Sequence, residues 1–138
     1  MIRLLEHGSS EYWDTVALRD RVLRKPLGLE FTQQELLAED GQWHLALYAG
    51  DQVVACLVLV PLDGGEVKMR QVAVDPDAQG QGLGRRLVEE SERLSRERGY
   101  GLMTLHARET AIPFYERLGY AVVGDPFTEV GIPHRKMV

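Results

Sequence analysis

Glycines, glutamines and arginines crowd into one short stretch, Gln79-Gly80-Gln81-Gly82-Leu83-Gly84-Arg85-Arg86, a mixture suited to holding an anion. Glycine lets the backbone bend tightly and approach a ligand with no Cβ in the way. A helix N-terminus leaves its first N–H groups unpaired, and with the helix dipole these attract negative charge. Arg85 and Arg86 fall in the first turn of the helix that follows, where the dipole disfavours cations. Two arginines in that place suggest a phosphate beside them. The alternative is a glycine-rich strand-to-helix turn with solvated arginines. The strand pattern before the glycines and the amphipathic pattern after them favour the phosphate.

The elements around this stretch follow from hydrophobic period and turn residues. Ile2–Glu6 is predicted as a first strand, and Ser9-Ser10-Glu11 starts a helix whose pattern runs over Tyr12–Arg24 until Pro26. Thr32 is suited to cap a short helix over Gln33–Glu39. Trp43–Ala49 and Gln52–Val60 read as a hairpin turning at Gly50-Asp51, and Glu66–Val74 as the next strand of the meander, ended by Pro76. A helix over about Gly82–Arg98 carries Leu83, Leu87, Val88 and Leu94 on one face and closes at Gly99. Glu89 with Arg93, and Glu92 with Arg96, are i,i+4 pairs in the favourable order. Strand Leu102–His106, helix Thr110–Leu118, strand Tyr120–Val123 and a last strand over His134–Val138 complete the chain. Tight turns imply antiparallel neighbours, whereas the strand–helix–strand unit from Glu66 to His106 implies a crossover. The expected class is α/β (α+β), a mixed central sheet with helices on both faces.

Length and composition bound the functions available. A chain of 138 residues, 44% apolar and 27% charged, fits one globular domain over residues 1–138. A net charge of -5 gives no reason to expect a nucleic-acid partner and is weakly compatible with an amine. The longest apolar run, about Val53–Leu62, is too short to cross a bilayer, and no signal peptide is visible. Cys56, the one cysteine, lies in an apolar run and reads as a buried thiol, suiting a reducing, cytoplasmic setting. Four scattered histidines, His7, His44, His106 and His134, have no metal-ligand spacing. No Gly-Lys-Ser/Thr follows the glycines, and their register does not match a dinucleotide fingerprint.

Three segments, in order and spacing, resemble the GNAT superfamily, the GCN5-related N-acetyltransferases. Val72-Ala73-Val74-Asp75-Pro76 is similar to the end of the family's fourth strand. Gln79-x-x-Gly82-x-Gly84 is similar to its pyrophosphate loop, and Ala111-x-x-Phe114-Tyr115-x-x-x-Gly119-Tyr120 to its later helix and following strand. The closing Gly131-Ile132-Pro133-His134 looks like the ending of a small bacterial subgroup. The resemblance implies a bulged fourth strand that splays from the fifth, opening a cleft for acetyl-CoA. It implies that backbone N–H groups over Gly80, Gln81, Gly82, Leu83, Gly84 and Arg85, beginning at Gln79, cradle the pyrophosphate. Pantetheine would pair along Val72, Ala73 and Val74 as an added strand. The Val72 N–H would serve the developing oxyanion, and Tyr115 would protonate the departing thiolate. The implied activity is acetyl-CoA-dependent acetylation of an amine of a small molecule or peptide, by direct attack in a ternary complex.

The chain departs from the family pattern at two places. Many relatives carry a glutamate as general base on the fourth strand where Lys68 stands, and a protonated lysine cannot take a proton. Glu66 shares that strand face, and His106 and His134 are other candidates, because histidine suits base work near neutral pH. Water, or an acceptor of low pKa, would serve instead. Arg108 stands where many relatives have an asparagine that contacts pantetheine, and could bind a phosphate, an acceptor carboxylate or only solvent. The glutamate's absence motivates a rival reading as an acyl-CoA-binding sensor with weak or no catalysis. A nucleotide enzyme using the glycine loop is a third. Trp13, Trp43 and the strand edges could support a homodimer, although core packing explains both tryptophans equally well.

Overall fold

The computed structural model describes residues 1–138. Seven strands form one sheet in the order β1-β2-β3-β4-β5-β7-β6. They are β1 (Ile2–Leu5), β2 (Trp43–Ala49), β3 (Gln52–Pro61), β4 (Glu66–Val74), β5 (Leu102–Arg108), β6 (Val122–Glu129) and β7 (Ile132–Met137). All neighbours pair antiparallel except β4 and β5, which the crossover makes parallel. Four α-helices accompany the sheet: α1 (Ser10–Arg19), α2 (Gln33–Leu37), α3 (Leu83–Glu97) and α4 (Ile112–Arg117).

Strand side chains alternate between the two faces, and the core divides accordingly. Leu45, Leu47, Leu57, Leu59, Val67, Met69, Leu105 and Met137 meet Leu87 and Val88 of α3 and Tyr115 of α4 on one face. Ala46, Tyr48, Cys56 and Ala73 meet Leu18 of α1 on the other. Each fully buried Leu or Val contributes roughly 1.5–3 kcal/mol relative to exposure. The Cys56 thiol is buried as expected, and burial pushes it up to about 12.

Several boundaries move from their sequence expectation. The first helix has Ser9 as its cap, but after Arg19 it widens into a π-turn over Asp20–Arg24 and then a 3₁₀ turn over Lys25–Leu27 that contains Pro26. α2 carries a full capping box between Thr32 and Glu35. The expected Glu89–Arg93 and Glu92–Arg96 pairs do not form. Arg93 instead engages Glu90 and Glu97, Glu89 meets Arg85, and Glu92 accepts the Tyr120 hydroxyl. β6 runs on to Glu129, well past Val123, because β7 starts earlier than His134 and pairs with it as a long hairpin.

Two irregularities at the middle of the sheet position the site. Cys56 faces Ala73 and Val58 faces Arg70, so two steps along β3 span three along β4. The extra residue makes a bulge. Gln71 there adopts φ 55°, a left-handed conformation that non-glycine residues rarely take. The second irregularity is that β4–β5 pairing covers only Glu66–Met69 and Leu102–Leu105. Both strands continue, without each other, to Val74 and Arg108. The sheet splays there, as the resemblance implied.

Candidate active site

The glycine loop begins where β4 ends. Asp75 Oδ1 accepts the Asp77 N–H at 2.9 Å and fixes the turn over Pro76–Ala78, while Arg21 reaches Asp75 Oδ2 at 2.8 Å. Gly80 and Gly82 then take φ 81° and 73°, which a side chain would strain. Gly84 answers a different need. A Cβ there would stand 3.3 Å from Phe114 and 3.4 Å from Val74, so its absence lets α3 sit tightly on β4 and α4. No side chain caps α3. The six N–H groups from Gly80 to Arg85 find no acceptor within the protein, and the next, Arg86 N–H, is the first to bond, to Gly82 at 3.1 Å. Six unpartnered donors at the positive end of a fifteen-residue helix make an arrangement suited to receiving an anion. Arg85 is held by Glu89 at 3.4 Å, and Arg86 is exposed on the same turn.

A cleft of about 420 Å³ opens where β4 and β5 part. Val72 and Tyr115 both line it. Tyr115 is only 7% exposed, its hydroxyl bonds to nothing in the protein, and burial pushes its pKa up to about 12. Ala73 and Val74 do not line the cleft with their side chains. Ala73 is buried in the α1-side core, and Val74 packs under Gly84, so what they can offer a ligand is backbone. The strand edge over 70–74 has no partner on the β5 side.

The candidate bases separate clearly. Glu66 accepts from Thr104 Oγ1 at 3.0 Å, near the start of β4, and lies outside the cleft. Lys68, His106, His134 and Arg108 line it. Arg108 donates to the Leu23 carbonyl at 3.1 Å, tying β5 to the π-turn after α1. The structure adds residues that the sequence did not single out. Glu129 lies between the two histidines, its Oε1 accepting from His106 Nδ1 at 2.9 Å and its Oε2 standing 3.7 Å from His134 Nε2. Although burial pushes the Glu129 carboxyl up, the His106 hydrogen bond and nearby cations hold it below its ordinary value. Gln71 lines the cleft with its side-chain carbonyl buried and unpartnered. Arg70 also lines it, and is held by a buried network. In that network Glu39 accepts from Arg19 at 2.7 and 2.8 Å, from Tyr12 at 2.7 Å and from Arg70 at 3.0 Å. Sequence spacing cannot reveal such a network, because Tyr12 and Arg19 lie on α1 whereas Glu39 and Arg70 come from two distant segments, the turn before β2 and strand β4. Glu129 had one signal available: it sits three residues before Ile132-Pro133-His134 at a hairpin end.

The sequence profile of the GNAT acetyltransferase domain matches residues 21–138. The chain belongs to the GNAT acetyltransferase family. It is 31% identical over 109 residues to a Bacillus subtilis protein named as a presumed acetyltransferase, covering 79% of this chain and 73% of that protein. Among solved structures, an acyl-CoA N-acyltransferase of Pseudomonas aeruginosa superposes with a TM-score of 0.84 at 25% identity, covering 99% of this chain and 97% of that one. An aminoglycoside 6′-N-acetyltransferase solved with coenzyme A shares the fold at 18% identity and a TM-score of 0.79, covering 99% of this chain and 94% of that one. This GNAT domain is therefore an acyltransferase of a family that uses acyl-CoA. Its mixed sheet, bulged β4 and splayed β4–β5 pair are the features that the resemblance implied. None of its helices is long and apolar enough to cross a membrane, and no group of three or more His, Cys, Asp or Glu side chains is arranged to hold a metal ion.

Proposed function

We propose that this GNAT domain transfers the acetyl group of acetyl-CoA to an amine of a small molecule or peptide, by direct attack in a ternary complex. The observation that carries this reading is the row of six unpartnered N–H groups over Gly80–Arg85, set at the end of a strand edge left open by the splay. The pyrophosphate occupies the cradle. Pantetheine amides pair with the open edge near Val72–Val74 and lead the thioester into the cleft. The Val72 N–H stabilises the oxyanion that develops on the thioester carbonyl. Tyr115 gives its proton to the departing sulfur. A phenol at about 12 stays protonated at neutral pH, so it arrives able to donate.

Calorimetry with acetyl-CoA tests the cradle, and thiol-reagent detection of CoA release with amines tests the transfer. Tyr115→Phe is expected to lower turnover by about 100-fold while leaving acetyl-CoA affinity unchanged. Absence of acetyl-CoA binding refutes the reading, and unchanged turnover removes Tyr115 from it. One observation favours an acyl-CoA sensor instead. Lys68 occupies a cleft position and cannot accept a proton while charged. Saturable acetyl-CoA binding without turnover would select that alternative.

A further inference from the structure

His134 is held in one tautomer by its surroundings. Its Nδ1 lies 2.9 Å from the Ile132 carbonyl oxygen, which has no proton to give, so Nδ1 carries the hydrogen. The neutral ring therefore presents a bare lone pair at Nε2. That lone pair has no hydrogen-bond partner and faces Glu129 Oε2 across 3.7 Å. The His134 side chain is only 4% exposed, so the ring cannot turn away freely. Glu129 is fixed from its other side, because the His106 Nδ1–H donates to Oε1. The two inward-facing atoms, an imidazole nitrogen and a carboxylate oxygen, are both acceptors. Such a pair is completed by a group that brings several N–H donors and a positive charge, as an alkylammonium does.

Resting on the acetyltransfer reading, we infer that the acceptor amine docks as an ammonium between Glu129 Oε2 and His134 Nε2, and that His134 is the base that takes its proton. The base thus comes from the β6–β7 hairpin and replaces the glutamate missing at Lys68. The proton inventory closes. The ammonium gives one proton to His134 Nε2, and the neutral nitrogen attacks the thioester carbon. A C–N bond forms and the C–S bond breaks. Sulfur leaves with the Tyr115 proton, and the nitrogen's surplus proton returns to the tyrosinate. His134 releases its proton to solvent. The products are an N-acetyl amide, CoA thiol and one proton. Other charged or titratable groups line the same cleft: Lys68 and Arg70 from β4, Arg24 from the π-turn, His106 and Arg108 from β5, and Tyr115 from α4. Glu129 is the one carboxylate among its lining residues.

The test compares His134→Gln, Glu129→Gln and His106→Gln with the parent chain, using a panel of spermidine, glucosamine, lysine and a lysine-rich peptide. Acetyl-CoA affinity by calorimetry serves as the check that each variant is folded. His134→Gln is expected to lower kcat/KM by about 100-fold or more and to flatten the acid limb of its pH profile. Glu129→Gln is expected to raise KM for the amine on the order of tenfold, with a smaller change in kcat. His106→Gln is expected to have the smallest effect on kcat. In the ¹⁵N spectrum of histidine-labelled parent protein, neutral His134 is expected as the Nδ1–H tautomer. Near-parental turnover in His134→Gln, a larger loss in His106→Gln, or an Nε2–H tautomer each overturns the inference. If acetyl-CoA binds but none of the panel is acetylated, the amine site falls while coenzyme binding stands. If acetyl-CoA itself does not bind, the acetyltransfer reading falls first.

Discussion

In the proposed reaction Tyr115 must keep its proton and yet give it up to sulfur at the right moment, two demands that conflict in water. Burial resolves the first by pushing its pKa up to about 12, and position in the cleft supplies the second. Burial also has a consequence for stability. The folded state holds the phenolic proton more tightly than the unfolded chain, whose tyrosines ionise near 10. The stabilisation is therefore complete below about pH 10 and lost as pH rises toward about 12. Denaturant melts between pH 8 and 11 should show stability falling at the alkaline end, and Tyr115→Phe should remove part of that slope. At this scale the sequence was informative wherever a residue's chemistry is set by its neighbours in the chain. Gly80, Gly82 and Gly84 were legible because the strand, turn and helix around them are local. Glu129 and Gln71 were not, because a carboxylate between two histidines and an unpartnered amide carbonyl arise only when β4, β5, β6 and β7 converge.

At the scale of elements, α3 and its leading loop act as one piece. Gly82 is the N-cap, at φ 73° and ψ 16°. An alanine there meets no neighbouring atom within 4 Å, so only its backbone conformation is strained. Gly82→Ala should destabilise the fold by about 1–2 kcal/mol, and acetyl-CoA should bind it more weakly, because N–H groups on either side of the cap swing away. Thermal melts and calorimetry measure the two effects separately. Gly84→Ala differs, because its Cβ would stand 3.3 Å from the tip of the Phe114 ring, which must yield slightly on the same helix that carries Tyr115. Element type and order follow from hydrophobic period, which is why β2 and β4 match their sequence boundaries residue for residue. The π-turn after α1 was hidden, since Val22 and Leu23 keep a helix-like pattern whichever carbonyl the backbone bonds to. Surface pairing on α3 also misled, because Arg93 has Glu90 and Glu97 within reach as well as Glu89.

Across the whole molecule, the Arg19–Glu39 pair joins α1, the turn before β2 and β4 through Arg70. Arg19 is fully buried and its bidentate partner is 3% exposed at the side chain. Burial pushes the Glu39 carboxyl up, but the guanidinium bonds outweigh it and hold the group at about 2. Its folded-state pKa is thus depressed, so its stabilisation is present above the ordinary 4.5 and lost as pH falls toward 2. Acid unfolding should fall in that window. Glu39→Gln should cost about 3–5 kcal/mol, because it strands a buried guanidinium, and chemical denaturation at pH 7 measures that loss. The net charge of -5 resides away from the cleft, where Arg24, Lys68, Arg70 and Arg108 outnumber Glu129. Composition therefore described the solvated exterior and not the interior of the site.

The parallel seam between Glu66–Met69 and Leu102–Leu105 is the only ladder that stitches strands β1–β4 to β5–β7. Beyond those four residue pairs no backbone ladder joins the two antiparallel leaves, so the edges of β4 and β5 stand open to a ligand. A coenzyme chain lying between them would act as a missing rung and lock the leaves together. Amide exchange along β4 beyond Met69 should then slow when acetyl-CoA is added, while the seam itself is already protected. Stability should rise with coenzyme concentration, by about 2.7 kcal/mol at one hundred times Kd, and the melting temperature should rise with it.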